Sequence, residues 1–184
     1  MRRSFARGFS LIEVLVSLII IAVGMLGLAK IQALAYASTG VASKQSLAAL
    51  QTASLMAAMR ANRNYWAAVG TPFSFSAPGT GTQTSSDATL TNTYVCTSGG
   101  ANAPCTAPQL AAFDLQSWIT SLNQTLPNPT ATITCPTPVA PAQLGCWIQV
   151  TWQEENVAVN TQGLNTAGQA NAMAAPTYTL YVVP

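Results

Sequence analysis

Histidine is absent from all 184 residues, and that narrows the available chemistry at once. The Ser/His/Asp and Cys/His arrangements both need an imidazole as general base. Glycine-rich phosphate cradles are also missing. Three groups of residues remain that are capable of chemistry: Glu13 inside an apolar run, four cysteines, and the carboxylates Asp114, Glu154 and Glu155. Asp114 is expected to be solvated on a helix. Glu154 and Glu155 offer oxygens of the kind calcium takes, but adjacent carboxylates at a strand end more often face water. No catalytic residue, no metal and no cofactor is assigned, and the chain is not expected to be an enzyme.

The cysteines fall as two close pairs, Cys96/Cys105 and Cys135/Cys146. Zinc is the rival to disulfides, and it fits poorly without histidine or a C-x₂₋₄-C spacing. An even count in a chain that carries an export-type segment favours disulfides and an oxidising compartment. Local pairing is favoured over the two crossed connectivities, and each short loop would contribute on the order of 2–3 kcal/mol.

Charged residues make up 7% of the chain, far below the usual quarter, and they are segregated. Residues 1–63 hold all seven Lys and Arg with Glu13 as the single acid, a formal +6. Residues 64–184 hold only Asp87, Asp114, Glu154 and Glu155, a formal −4. That second part has no basic patch, which excludes nucleic acid as a partner.

Phe9 to Ala29 is a 21-residue, mostly apolar run with Glu13 near its start. As a helix it spans about 31 Å, the thickness of the hydrocarbon core. Arg2, Arg3 and Arg7 precede it, and that basic flank keeps the N-terminus cytoplasmic. A plain anchor is one reading. A cleaved secretory signal is another, since "ALAYA" supplies small-residue sites after Ala35 and Ala37. Neither explains a carboxylate in lipid, which is costly and ordinarily has a partner.

"RGFSLIEVL" resembles the class III signal of type IV prepilins and their relatives. The resemblance implies a leader, residues 1–8, removed by prepilin peptidase after Gly8. It also implies methylation of the new N-terminal residue Phe9, and an assembly role for Glu13 opposite the N-terminal amine of a neighbouring subunit. Two charges that are each unfavourable in lipid become tolerable as a pair. "MRANRNYW", "CTAPQLAAFDLQSW" and "CWIQVTW" are similar to regions of minor pilins. The implied partners are other minor pilins, the major pilin, the inner-membrane assembly machinery, prepilin peptidase and, at a tip, an adhesin. A minor pseudopilin of a type II secretion system stays open within the class. Outside it, a secreted soluble binding domain released after Ala35 or Ala37 stays open too.

The expected fold is α+β, a long N-terminal helix on a small antiparallel sheet with a second short helix, the type IV pilin-like arrangement. Residues 9–29 form the transmembrane half of the helix, 30–64 its amphipathic continuation and 65–184 a periplasmic domain. No proline precedes Pro72, and ten of the 34 residues from Lys30 to Arg63 are alanine, which favours an uninterrupted helix. Leu34, Val41, Ala48 and Leu55 recur every seven residues, with Ile31, Met56 and Met59 nearby. Tyr36, Leu47 and Leu50 lie on a different face. Gly24, Gly27 and Gly40 are the weak points of that helix.

Residues 67–93 read as a long loop with one strand at 90–95. A second helix follows in "TAPQLAAFDLQSWITSLNQ", with Thr106 and Gln109 as a capping box and Leu110, Phe113, Leu115, Trp118 and Leu122 as its apolar face. In "ATITC", Ala131, Ile133 and Cys135 share a face, and in "GCWIQVTW" Cys146, Ile148, Val150 and Trp152 do. Antiparallel pairing of these strands brings Cys135 beside Cys146. "TYTLYVV" supplies a last strand.

Overall fold

The computed structural model describes residues 10–79, 81–96, 104–139, 143–154 and 175–184. Gly8, Phe9, the Leu34 side chain and Glu155 lie outside the described residues. The chain divides into two compact units, Met1–Gly40 and Val41–Pro184, and one helix, α1 (Leu11–Ala61), runs through the boundary. It is continuous through Gly24, Gly27 and Gly40.

In the first unit the side chains of α1 are exposed and apolar, Leu11 at 85% and Leu26 at 72%. In the second unit α1 is buried on one stripe. Ala48, Thr52, Leu55 and Met59 are at or near 0% exposure, the i, i+4, i+7, i+11 spacing of one helical face. The heptad expected from Leu34 onward is therefore only half right. Val41 and Ile31 are exposed, because the core meets α1 only from Leu47 on. Of the proposed second face, Leu47 joins the core while Tyr36 and Leu50 stay exposed.

Helix α1 ends where Asn62 turns inward and donates from Nδ2 to the carbonyl of Ala107 at 2.7 Å. A single helical turn, α2 (Arg63–Trp66), follows and delivers Tyr65 and Trp66 to the core. Edge-on aromatic packing then continues from Tyr65 to Trp66 at 5.1 Å and on to Phe73 at 5.9 Å.

The five-stranded sheet is antiparallel throughout, in the order β2-β1-β3-β4-β5. Its strands are β1 (Phe73–Ala77), β2 (Thr84–Ser85), β3 (Thr130–Cys135), β4 (Cys146–Thr151) and β5 (Thr177–Val182). With the long helix, this is the α+β pilin-type fold expected. β1 replaces part of the expected loop. A strand at 90–95 does not form: Leu90 sits in a 3₁₀ turn, Ala88–Thr91. The Asp87 carboxylate caps that turn by accepting from the Thr89 N–H at 2.9 Å, which commits the backbone to a turn instead of a ladder.

Register sorts the residues into rows. Phe75, Ile133, Ile148 and Leu180 lie side by side facing the core, as do Ala77, Ala131, Val150 and Tyr178. The opposite face carries Ser74, Thr134, Trp147 and Tyr181 in one row and Ser76, Thr132, Gln149 and Thr179 in the next. Alternation thus places Ala131, Ile133, Cys135, Cys146, Ile148, Val150 and Trp152 in the core, as expected.

Helix α3 (Ala107–Thr125) begins with the capping box of Thr106 and Gln109; the Thr106 N–H donates to Gln109 Oε1 at 2.9 Å. Its buried face differs from the expected one. Ala111, Leu115, Trp118, Ile119 and Leu122 are buried, whereas Leu110 is exposed and Phe113 half-buried. Trp118 Nε1 donates to the Gln51 carbonyl of α1 at 2.8 Å, and the Gln51 amide donates to Ser121 Oγ at 2.9 Å. These two bonds fix α3 on α1, each contributing about 1 kcal/mol net. The chain leaves α3 through Asn128, whose φ of 44° suits a residue that tolerates the left-handed region. Here Gly79 is required, since a Cβ would meet the Pro129 carbonyl oxygen at 2.8 Å.

Candidate functional site

Glu13 lies in the first turn of α1. Its backbone N–H donates to Ser10 at 3.0 Å, which starts the helix, and Ser17 Oγ donates to its carbonyl at 2.7 Å. Among the described residues nothing on its own chain donates to the carboxylate, and the side chain is exposed. Around it stand Leu11, Ile12, Val14, Leu15 and Val16, all exposed and apolar. The next charge along the helix is Lys30, about 25 Å further on at 1.5 Å per residue. Long and apolar enough to cross a membrane, α1 has a mean hydropathy of 2.7 over its most apolar stretch, none of it buried. Glu13 thus stands at the end of an exposed apolar surface, with no hydrogen-bond donor to its carboxylate among the described residues.

The cysteines lie apart from Glu13 in sequence and carry structure. Cys96 is joined to Cys105, and Cys135 to Cys146, with Cα separations of 5.4 and 4.1 Å. The second bond ties β3 to β4 next to the Thr134–Trp147 pair. Glu154 accepts from Trp152 Nε1 at 3.3 Å. No group of three or more metal-ligating side chains occurs among the described residues.

Residues 3–29 match the family described as the prokaryotic N-terminal methylation motif. The chain carries a prepilin-type N-terminus. This supports membership of the type IV pilin-like superfamily, a membrane-anchored pilin or pseudopilin handled by prepilin peptidase and a pilus-type assembly machinery. Glu13 and the exposed apolar half of α1 both fall inside the matched residues. No curated protein and no solved structure matches the chain.

A second cluster was not legible in the sequence. Tyr65, Asp87, Val69, Ala107 and Pro108 line an open groove of about 450 Å³. Tyr65 OH donates to Asp87 Oδ2 at 2.7 Å. Burial, then the Asp87 hydrogen bond and charge, push the Tyr65 phenol far above its ordinary range. The same hydrogen bond, with those from Thr89, holds the Asp87 carboxyl below its usual value despite partial burial. Each carboxylate oxygen is thus engaged, and Asp87 holds the 3₁₀ turn against α2. Asp114, expected to be solvated, is half-buried on α3, and desolvation raises its pKa.

The two carboxyls therefore bear on stability with opposite signs. The Asp87 contribution is present above the unfolded-state pKa and is lost as pH falls through the lower folded value. The Asp114 penalty is present above its raised folded pKa and vanishes as pH falls through that value to the unfolded one. At pH 7, Asp87→Asn should destabilise the folded chain by about 1 kcal/mol, and Asp114→Asn should stabilise it slightly. Both differences should shrink on acidification. Urea unfolding of the detergent-solubilised chain between neutral and acid pH reads both.

Proposed function

We propose that this chain is a minor pilin of a type IV pilus, similar to PilV, the type IV pilus modification protein, and that it helps prime filament assembly within a tip complex. What supports this most is the exposed apolar run of α1, bearing Glu13, which has no partner among the described residues, inside the methylation motif. The leader ends at Gly8, and Phe9 becomes the methylated N-terminus. Before assembly, residues 9–29 sit in the inner membrane with the C-terminal domain in the periplasm, where both disulfides form. Glu13 pairs with the amine of a neighbour's Phe9. In lipid such a pair sets register more than it adds net stability. The domain beyond residue 63 carries only four charges, all acidic, so electrostatic steering of partners is weak. Sister pilins, the major pilin and a tip adhesin are then recognised by short-range apolar and hydrogen-bonded contacts, with the shared N-terminal helix as the common docking surface. A minor pseudopilin of a type II secretion system shares the motif.

Intact mass of membrane-extracted protein should give a chain that starts at methylated Phe9 and lacks the four thiol hydrogens of its cysteines. A start at Tyr36 or Ser38 would instead mean a soluble, secreted product. Glu13→Ala should insert and be processed normally, because removing a charge makes the segment more lipophilic. Its recovery in sheared pili should fall roughly tenfold or more, the loss expected when a partner charge is left unpaired in lipid. Deleting the chain should lower the number of filaments per cell while leaving their length near normal, counted by electron microscopy with retraction disabled. Short or fragile filaments in normal number would point to a stalk role, which needs repeated self-contacts along an open array.

A further inference from the structure

The outward face of the sheet carries an exposed aromatic pair beside rows of hydroxyl and amide side chains. Trp147 and Tyr181 face each other across β4 and β5, with ring centroids 4.8 Å apart and planes tilted by 53°. They are 49% and 48% exposed. Beside them lie Thr134 in the same row and Thr132, Gln149 and Thr179 in the next. The aromatic pair is held in place. A Cβ at position 145 would collide with the Tyr181 ring and hydroxyl, so Gly145 lets that ring lie across the backbone. The Cys135–Cys146 bond fixes β4 immediately beside Trp147. Rings ordered before binding lose little entropy on binding.

We infer that this face is a binding platform for a neutral glycan. The apolar C–H face of a sugar ring stacks on Trp147 and Tyr181, and its hydroxyls exchange hydrogen bonds with Thr134, Thr132, Gln149 and Thr179. Charge selects the ligand class. None of the strand residues on this face is charged, so an acidic polysaccharide or a phosphate headgroup would lose hydration with no counter-charge from the strands to meet it. A neutral polyhydroxyl ligand exchanges water for hydroxyls and amides of matching capacity. Size selects against a protein partner. Strands ~4.8 Å apart and rows ~7 Å apart give these rows a footprint of roughly 300–400 Å², against about 800 Å² per partner in a stable protein interface. An apolar centre, which such interfaces have, is also missing, since the two rings stand at one end of a field of hydroxyls. The inference does not depend on the pilus assignment.

Trp147 offers a selective reporter, because Trp66, Trp118 and Trp152 are at most 5% exposed. The full chain, in nanodiscs free of sugar-headgroup detergent, is titrated with neutral oligosaccharides of glucose, galactose, mannose and N-acetylglucosamine. Uronate oligosaccharides and heparin serve as charged counterparts. At least one neutral sugar should protect the fluorescence from acrylamide saturably and show saturation transfer in NMR, while the acidic ones do neither. Trp147→Ala should abolish the transfer. Gln149→Ala, an exposed substitution outside the core, should weaken it about tenfold, corresponding to ~1.4 kcal/mol. The proposal is overturned if no neutral sugar gives transfer or if transfer persists in Trp147→Ala. It is equally overturned if the face instead drives concentration-dependent self-association that Trp147→Ala removes.

Discussion

A slip of one residue between β3 and β4 would exchange the two faces of the sheet, because side chains alternate with period two. If β4 slipped, Ile148 would turn to water and Gln149 would enter the core. The cross-strand bond from Cys135 to Cys146 forbids that slip. It fixes the pairing at the loop end of the hairpin, and the ladder from Thr134↔Trp147 to Thr130↔Thr151 follows. Everything else hangs from this register. Facing inward, it presents the rows that receive Trp66, Leu115 and Leu122 in one continuous core. Facing outward, it turns Trp147 to the surface, where the β4–β5 ladder sets it against Tyr181. A single covalent constraint thus specifies both the core and the exposed surface.

Helix α1 solves a different problem. Its sequence is apolar almost throughout, yet two kinds of surface coexist on it. From Leu11 to Leu28 large apolar side chains are exposed all round, which is stable only in lipid or against other helices. From Ala48 to Met59 the apolar stripe is one face wide and buried. Small alanines dominate the stretch between. That division explains why Glu13 stands out: it lies in the exposed apolar stretch, where an acid is costly in lipid.

Much of this was legible in the sequence where local pattern and global packing agree. Alternation in "ATITC" and "CWIQVTW" placed every inward residue correctly, and the capping box located the start of α3. The failures share a cause. "FSFSA" alternates as cleanly as the other strands, but its serines and the glycines around it read as loop composition; only pairing with β3 makes it a strand. The strand expected at 90–95 gives way to a 3₁₀ turn whose cap is the local Asp87–Thr89 bond, with Asp87 held in place by Tyr65, 22 residues away. On α3 the expected Leu115, Trp118 and Leu122 are buried, but Leu110 and Phe113 give way to Ala111, Ala112 and Ile119; Leu110 and Phe113 are as apolar as Ile119, and the choice between them is made by where α1 and the sheet lie. Trp147 and Tyr181 could have been paired from the disulfide register and the last strand together. Gly8 and Phe9 remain sequence inferences, resting on the motif and not on any contact.

The scarcity of charge also shapes how the domain responds to pH. Stability changes with pH only through groups that bind different numbers of protons in the folded and unfolded states. With no histidine and four carboxylates beyond residue 63, few such groups exist, and Tyr65 is held neutral by burial. Asp87 gives stability a positive slope with pH and Asp114 a negative one. The two partly offset each other across the acid range. Apart from the bonds to Asp87, a fold built from threonine, serine, alanine and apolar residues, tied by disulfides, depends on hydrogen bonds and packing between groups that do not titrate in the acid range.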